Sequence, residues 1–171
     1  GGMMAHRETF VQGETVYQGP RFSLRHDVVE LEDGRRSGRE VIQLPDRVML
    51  VALSPQGGLL CRFQRPALDS ESWELPQQTV EAGESPWQAA CRLAQTLGLP
   101  QGEIKAVGCL RPSPAILQQA IHVFALRAQT APGEGWVALP QLRQAMVSGA
   151  IGDLRTMAAL GLARAAGWQE V

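Results

Sequence analysis

No uninterrupted apolar run in this 171-residue chain is long enough to span a bilayer, and the N-terminus lacks a signal-peptide core. A cytoplasmic location is the expectation that follows. Net charge is −1, so no field of one sign draws the chain to nucleic acid or to a membrane, and neither partner is expected. The three cysteines, Cys61, Cys91 and Cys109, are odd in number and widely spaced, without CxxC or Cys/His ligand spacing. That argues against a disulfide framework or zinc site and for reduced, mostly buried thiols. Repeats and low-complexity stretches are absent. The remaining shortage is of acid: residues 1–84 carry 13 acids and 9 bases, whereas 85–171 carry 4 acids and 7 bases.

What is present suits one compact domain with a small subdomain attached: 44% of residues are apolar and 19% charged, enough for a core. Gly1-Gly2 ahead of Met3-Met4 reads as a cloning scar, so residues 1–13 are set aside as scar and N-terminal tail. Residues 14–45 read as an antiparallel β unit. Arg21–Leu31 alternates, Asp33-Gly34 supplies a hairpin turn, and Gly38–Leu44 returns. Pro45-Asp46 marks a boundary. Arg47–Ser54 is almost wholly apolar, as in a strand covered on both faces, and Leu59–Arg65 is predicted as the next strand after a turn at 55–58.

Ser85–Gly98 carries the clearest helix signal. Ser85 and Gln88 have capping-box spacing, Pro86 suits the first helical position, and Gly98 supplies the stop. Ala89, Ala90, Leu93 and Leu97 give it one apolar face. Strands are predicted at Ile104–Leu110, Ile121–Ala128 and Trp136–Leu139, then helices at about Pro140–Val147 and Asp153–Ala166. Interleaved strands and helices mean a layered α/β arrangement.

Trp73-Glu74-Leu75-Pro76 and the residues through Leu99 are similar to the Nudix box, G-x5-E-x7-R-E-U-x-E-E-x-G-U, with its usual W-E-L-P lead-in. Glu84, Arg92, Gly98 and Leu99 match, with seven residues between Glu84 and Arg92. Further pieces resemble the ADP-ribose pyrophosphatase branch of that family. They are Arg39-Glu40-Val41, Leu60 to Pro66, Arg111 to Pro114, Ile121 to Phe124, and Ser148 to Asp153 followed by Thr156. Pro114 stands 15 residues beyond Leu99, where the branch carries a marker proline. The ordered resemblance covers roughly residues 14–166. It implies a Nudix fold over 46–171, an α/β/α sandwich with a mixed sheet, and a homodimer.

The resemblance also implies cleavage of a nucleoside diphosphate linked to another group, such as ADP-ribose, with Mg²⁺ or Mn²⁺ held by glutamates of the box helix. Mg²⁺ wants hard oxygen ligands in near-octahedral array. Yet Arg92-Leu93-Ala94-Gln95-Thr96-Leu97-Gly98 contains no carboxylate, and none lies between Glu84 and Glu103. Amide and hydroxyl dipoles stand where full charges are needed. Gln78 also replaces the opening glycine, which reads as a less comfortable backbone. Gln119 replaces a further glutamate, and the loop at about Gln129–Gly135, where the branch places a glutamate as base or metal ligand, retains Glu134 as its one acid.

The expectation is therefore a homologue that no longer hydrolyses, with a box reduced to its structural residues Glu84, Arg92, Gly98 and Pro114. No residue stands out as catalytic; Glu84 and Glu134 are the acids to weigh, and no metal or cofactor is expected. An active hydrolase using Glu71, Glu74, Glu81, Glu84 or Glu134 is the alternative, and a dimeric interaction module is a third reading. By the resemblance Arg39, Arg65, Glu74 and Gln119 are candidate ligand-binding residues for a nucleoside diphosphate-type molecule. The structural alternative for Arg39 and Arg65 is a surface arginine paired with a nearby acid. Trp73 and Trp87 are core anchors or base-stacking platforms. His122, in an apolar strand pattern, is read as a packed histidine.

Overall fold

Asp33-Gly34 does close a turn, with Gly34 at φ +83° and its N–H donating to the Leu31 carbonyl at 2.9 Å. The computed structural model, which describes residues 4–100, 103–131 and 133–171, places it between two paired strands. The chain divides into two units, and the described residues up to Pro45 with Ser113–Gln119 form the first. Its sheet runs in the order β1 (Glu8–Gln18), β2 (Ser23–Leu31), β3 (Arg36–Gln43) and β10 (Leu117–Gln118), the last parallel to its neighbour. β1 corrects the tail assignment, because it starts at Glu8. Ten of its eleven positions are exposed, so no apolar alternation marks it in the sequence. The Gly1-Gly2 scar lies outside the described residues.

The second unit, Asp46–Pro112 with Ala120–Val171, is built on β4 (Arg47–Ser54). Successive side chains of a strand point to opposite faces, and here both faces are covered. Val48, Leu50 and Ala52 cluster with Ala89, Ala90 and Leu93 of α1 (Pro86–Thr96). Met49, Val51 and Leu53 cluster with Leu142 of α2 (Leu139–Ser148) and with Ala159 and Leu160 of α3 (Leu154–Ala165). Helices therefore flank the sheet on both sides, and a mixed α/β sandwich results. β4 pairs parallel with β11 (Ile121–Arg127) and antiparallel with β5 (Gly57–Leu59) and β8 (Gln77–Thr79). β9 (Lys105–Leu110) pairs with β11, and β12 (Trp136–Val137) pairs with β5.

The strand expected over Leu59–Arg65 is two strands. β6 (Cys61–Arg65) leaves the main sheet to pair with β7 (Ser70–Glu74), while β5 stays with β4. The break falls at Leu60, whose N–H donates to the Gly135 carbonyl at 2.9 Å. β12 ends at Val137, since Leu139 already opens α2. The cysteines are another correction: Cys61 and Cys91 are half-buried and Cys109 is exposed. Burial pushes the Cys61 and Cys91 thiols up. All three are free.

Candidate functional site: the box loop and its arginines

α1 starts as its sequence dictates. Ser85 Oγ accepts from the Gln88 N–H at 3.1 Å, and Gln88 Oε1 accepts from the Ser85 N–H at 2.8 Å. Two backbone donors that helical geometry leaves unpaired are thereby satisfied. Just ahead of the cap, Glu84 takes two bonds from Arg92, both at 2.9 Å, and one from the Glu81 N–H at 3.1 Å. The Arg92 guanidinium, aided by that N–H, holds the Glu84 carboxyl down at about 2. Arg92 also donates to the Thr79 carbonyl at 3.0 Å, so the loop between β8 and α1 is closed at both ends.

Beyond Arg92 the helix offers Gln95 and Thr96, both exposed, and the Thr96 hydroxyl donates back to the Arg92 carbonyl at 3.0 Å. No three of the His, Cys, Asp and Glu residues among the described residues are grouped to hold a metal ion. Acids around the loop are engaged elsewhere. Arg62 donates to Glu71 at 2.7 Å, Arg92 holds Glu84, and Arg65 holds Glu74. Glu81 and Glu134 are exposed. This donor set does not fit a resident Mg²⁺ or Mn²⁺, which needs several oxygen ligands converging on one point. Gln78, by contrast, sits without strain. It lies in extended β8 opposite Val48, and Asp69 is the non-glycine residue with positive φ among those described. The expected discomfort there is corrected.

The most heavily bonded side chain of the unit is Glu74, at the end of β7 and 1% exposed. Arg65 on the neighbouring β6 grips it with a fork at 2.6 and 3.1 Å, reaching back along the ladder, since the register sets Arg65 opposite Ser70 and Glu74 opposite Cys61. Gln77 Nε2 donates to it at 2.8 Å, Arg155 Nη2 at 3.3 Å, and Ser72 Oγ also donates. Both oxygens are thus saturated by protein donors. The hydrogen bond to Glu74 raises the Arg65 pKa further, and the guanidinium carbon lies 4.8 Å from the Phe63 ring centroid. Arg155 belongs to the start of α3, where Asp153 caps the helix through the Thr156 N–H (3.0 Å) and also accepts from Arg155 Nε at 3.0 Å. Thr156 Oγ1 in turn accepts from the Leu75 N–H at 3.1 Å, joining α3 to the W-E-L-P segment.

Arg47, which opens β4, enters the same network. Its Nε donates to Gln77 Oε1 at 3.1 Å and its Nη1 to Thr79 Oγ1 at 2.9 Å. Burial, and then the neighbouring Arg155, push its guanidinium below the ordinary arginine range, with Glu74 acting the other way. Sequence reasoning missed Arg47, Arg155 and Asp153 as site residues. The available signals were a lone charge opening an otherwise apolar strand and the D-x-x-T capping spacing at 153–156.

The other candidates are placed elsewhere or committed locally. Arg39, on β3 of the first unit, pairs with Glu8 and donates to Ser37 Oγ at 2.8 Å. Gln119, 8% exposed, donates to the Pro45 carbonyl at 2.9 Å. Pro114 lies in the turn that leads into β10. Trp73 packs against the core, whereas Trp87 is exposed on α1. His122 is half-buried with Nε2 at 3.1 Å from Asp46 Oδ2. Burial opposes ionisation of Asp46, yet the Ala120 N–H and His122 keep its carboxyl below the usual range.

Comparison with known proteins agrees with this architecture. No family model matches the chain. It is 27% identical over 125 residues to the ADP-ribose pyrophosphatase of Bacillus subtilis (strain 168), covering 71% of this chain and 67% of that protein. It is also 27% identical over 119 residues to the methanol dehydrogenase activator of Bacillus methanolicus, covering 68% of this chain and 64% of that protein, so the match spans about two thirds of the relatives' length. A crystal structure of an ADP compounds hydrolase superposes with a TM-score of 0.79 at 19% identity, covering 99% of this chain and 100% of that one. The sandwich and its box loop define a Nudix-fold protein. Within that class the chain is similar in sequence to an ADP-ribose pyrophosphatase over about two thirds of both chains. No helix among the described residues is long and apolar enough to cross a membrane.

Proposed function

We propose that this chain binds a nucleoside diphosphate-type ligand at the box loop and has lost metal-dependent hydrolysis of the diphosphate. The observation that carries the reading is α1. Its outer turn, where divalent cations would need charge, offers Gln95 and Thr96, while Glu84, the acid just ahead of the helix, is spent on Arg92. Hydrolysing a diphosphate means stabilising charge on its bridging and non-bridging oxygens, and neutral dipoles do little of that work. The names of one relative and of the superposed structure favour an ADP-ribose-like or ADP-containing ligand. The test is turnover of ADP-ribose and a panel of nucleoside diphosphate conjugates with Mg²⁺ or Mn²⁺. No metal-dependent product is expected; turnover lost when Glu81 and Glu134 are changed to glutamine supports the active-hydrolase reading instead.

A second reading, a homodimer built on the first unit, is favoured by β1. It ends its sheet, leaves one edge unpaired, and exposes Phe10, Val16 and Tyr17, with Phe22 exposed just beyond. A long exposed edge with aromatic side chains invites another strand, and a second copy of β1 is self-complementary in the required way. Light scattering is expected to give twice the chain mass; a monomer refutes it.

A further inference from the structure

Three arginines gather around two acids in the second unit. Arg65 and Arg155 both bond Glu74, Arg155 also bonds Asp153, and Arg47 joins through the Gln77 side chain. The group carries a surplus of one positive charge. Arg47 contributes that surplus: its bonds run to two neutral oxygens, and among the described residues it has no carboxylate partner. Its site is half-buried, where an unbalanced charge is costlier than at an open surface. Donors are also left over. Arg47 Nη2, Arg155 Nη1 and Arg65 Nε find no acceptor among the described residues, and none of them is a buried unsatisfied atom. Guanidinium forks with spare N–H groups, fixed by a buried carboxylate, match the oxygens of phosphate groups.

We infer that Arg47 and Arg155, fixed around the buried Glu74–Arg65 pair, seat a diphosphate anion directly, with arginine charge in place of a divalent cation. The inference rests on the proposed ligand-binding reading and deepens it. A diphosphate there balances the surplus charge and gives the spare donors acceptors, while Glu74 keeps the cations from scattering. A free pyrophosphate and the diphosphate of a nucleotide share this chemistry. Arg47 and Arg155 act here as binding residues; no bond is made or broken.

Calorimetric titration with inorganic pyrophosphate and with ADP, each in EDTA and in Mg²⁺, tests the inference. Binding in EDTA is expected to be at least as tight as in Mg²⁺ and to weaken as salt rises. Arg47→Gln and Arg155→Gln are each expected to lose roughly tenfold in affinity, the loss of one charge-assisted hydrogen-bonding group. Arg35→Gln, on an exposed hairpin of the first unit, is expected to change nothing. Arg47→Lys, which keeps the charge, loses less than Arg47→Gln and serves if the glutamine variant fails to fold. Tighter binding of ADP than of pyrophosphate assigns the nucleotide as the source of the anion. ADP binding that ignores both variants, or that requires Mg²⁺, overturns this inference and leaves ligand binding standing. Metal-dependent turnover of ADP-ribose overturns the loss of hydrolysis and leaves the arginine seat to be judged by the variants.

Discussion

Glu74 and Glu84 stand on either side of β8, and each is held by an arginine fork, yet the two pairs do different work. The Glu74 side chain is 2% exposed, while that of Glu84 is 16% exposed. Glu84 meets one arginine and one backbone N–H, which close a local loop onto α1. Glu74 draws in β6, β7, the residue after them at 77 and the start of α3, so one carboxylate organises four segments. Identical chemistry thus serves as a local latch where water has access and as a hub where it has little. The difference follows from burial, because an ionic group removed from water must have every partner in place.

The sharpest way to break that comparison is to remove the hub. Glu74→Ala leaves Arg65 and Arg155 facing each other without their shared anion, and is expected to cost about 3–5 kcal/mol in chemical denaturation. A loss below about 1 kcal/mol, the scale of an exposed pair, makes the two carboxylates equivalent. Asp153→Ala should follow with about 1–2 kcal/mol, since it removes the α3 cap, as measured in the same way. Its further consequence is a freer Arg155, read as weaker pyrophosphate binding.

The smallest effect belongs to Glu84 and is best seen through pH. Its carboxyl is held from an ordinary 4.5 down to about 2 by Arg92, so the folded state favours the ionised form. The stabilisation is fully present above pH 4.5 and is lost as pH falls toward 2. The gap in thermal midpoint between wild type and Glu84→Gln is therefore expected to be flat from pH 7 to 5 and to shrink below 4.5. A gap that widens on acidification removes the latch from the account.

Much of the frame was legible in the sequence because its signals are local. The apolar run at 47–54, the capping box at 85–88 and the left-handed stop at Gly98 each act within a few residues, and each sits where expected. β1 was not legible, because a strand exposed at almost every position has no alternation to read. Nor was the split at Leu60, since the choice between β4 and β7 as partner is made by strands elsewhere in the chain. The latch pair, Glu84 and Arg92, was visible through the box spacing. The arginine group was hidden for the opposite reason: Arg47, Arg65 and Arg155 lie far apart in sequence, and the docking of α3 on Leu75 brings Arg155 to Glu74 while the pairing of β4 with β8 brings Arg47 to the Gln77 side chain that bonds it.

Thr79 belongs to both regimes at once. Its carbonyl is gripped from the helix by Arg92 and its hydroxyl from the strand by Arg47. The two grips use different atoms, so they can be uncoupled: valine at this position would leave the strand arginine with its Gln77 bond alone while the helix kept its hold. One methyl-for-hydroxyl exchange therefore separates keeping the loop in place from aiming the charge behind it.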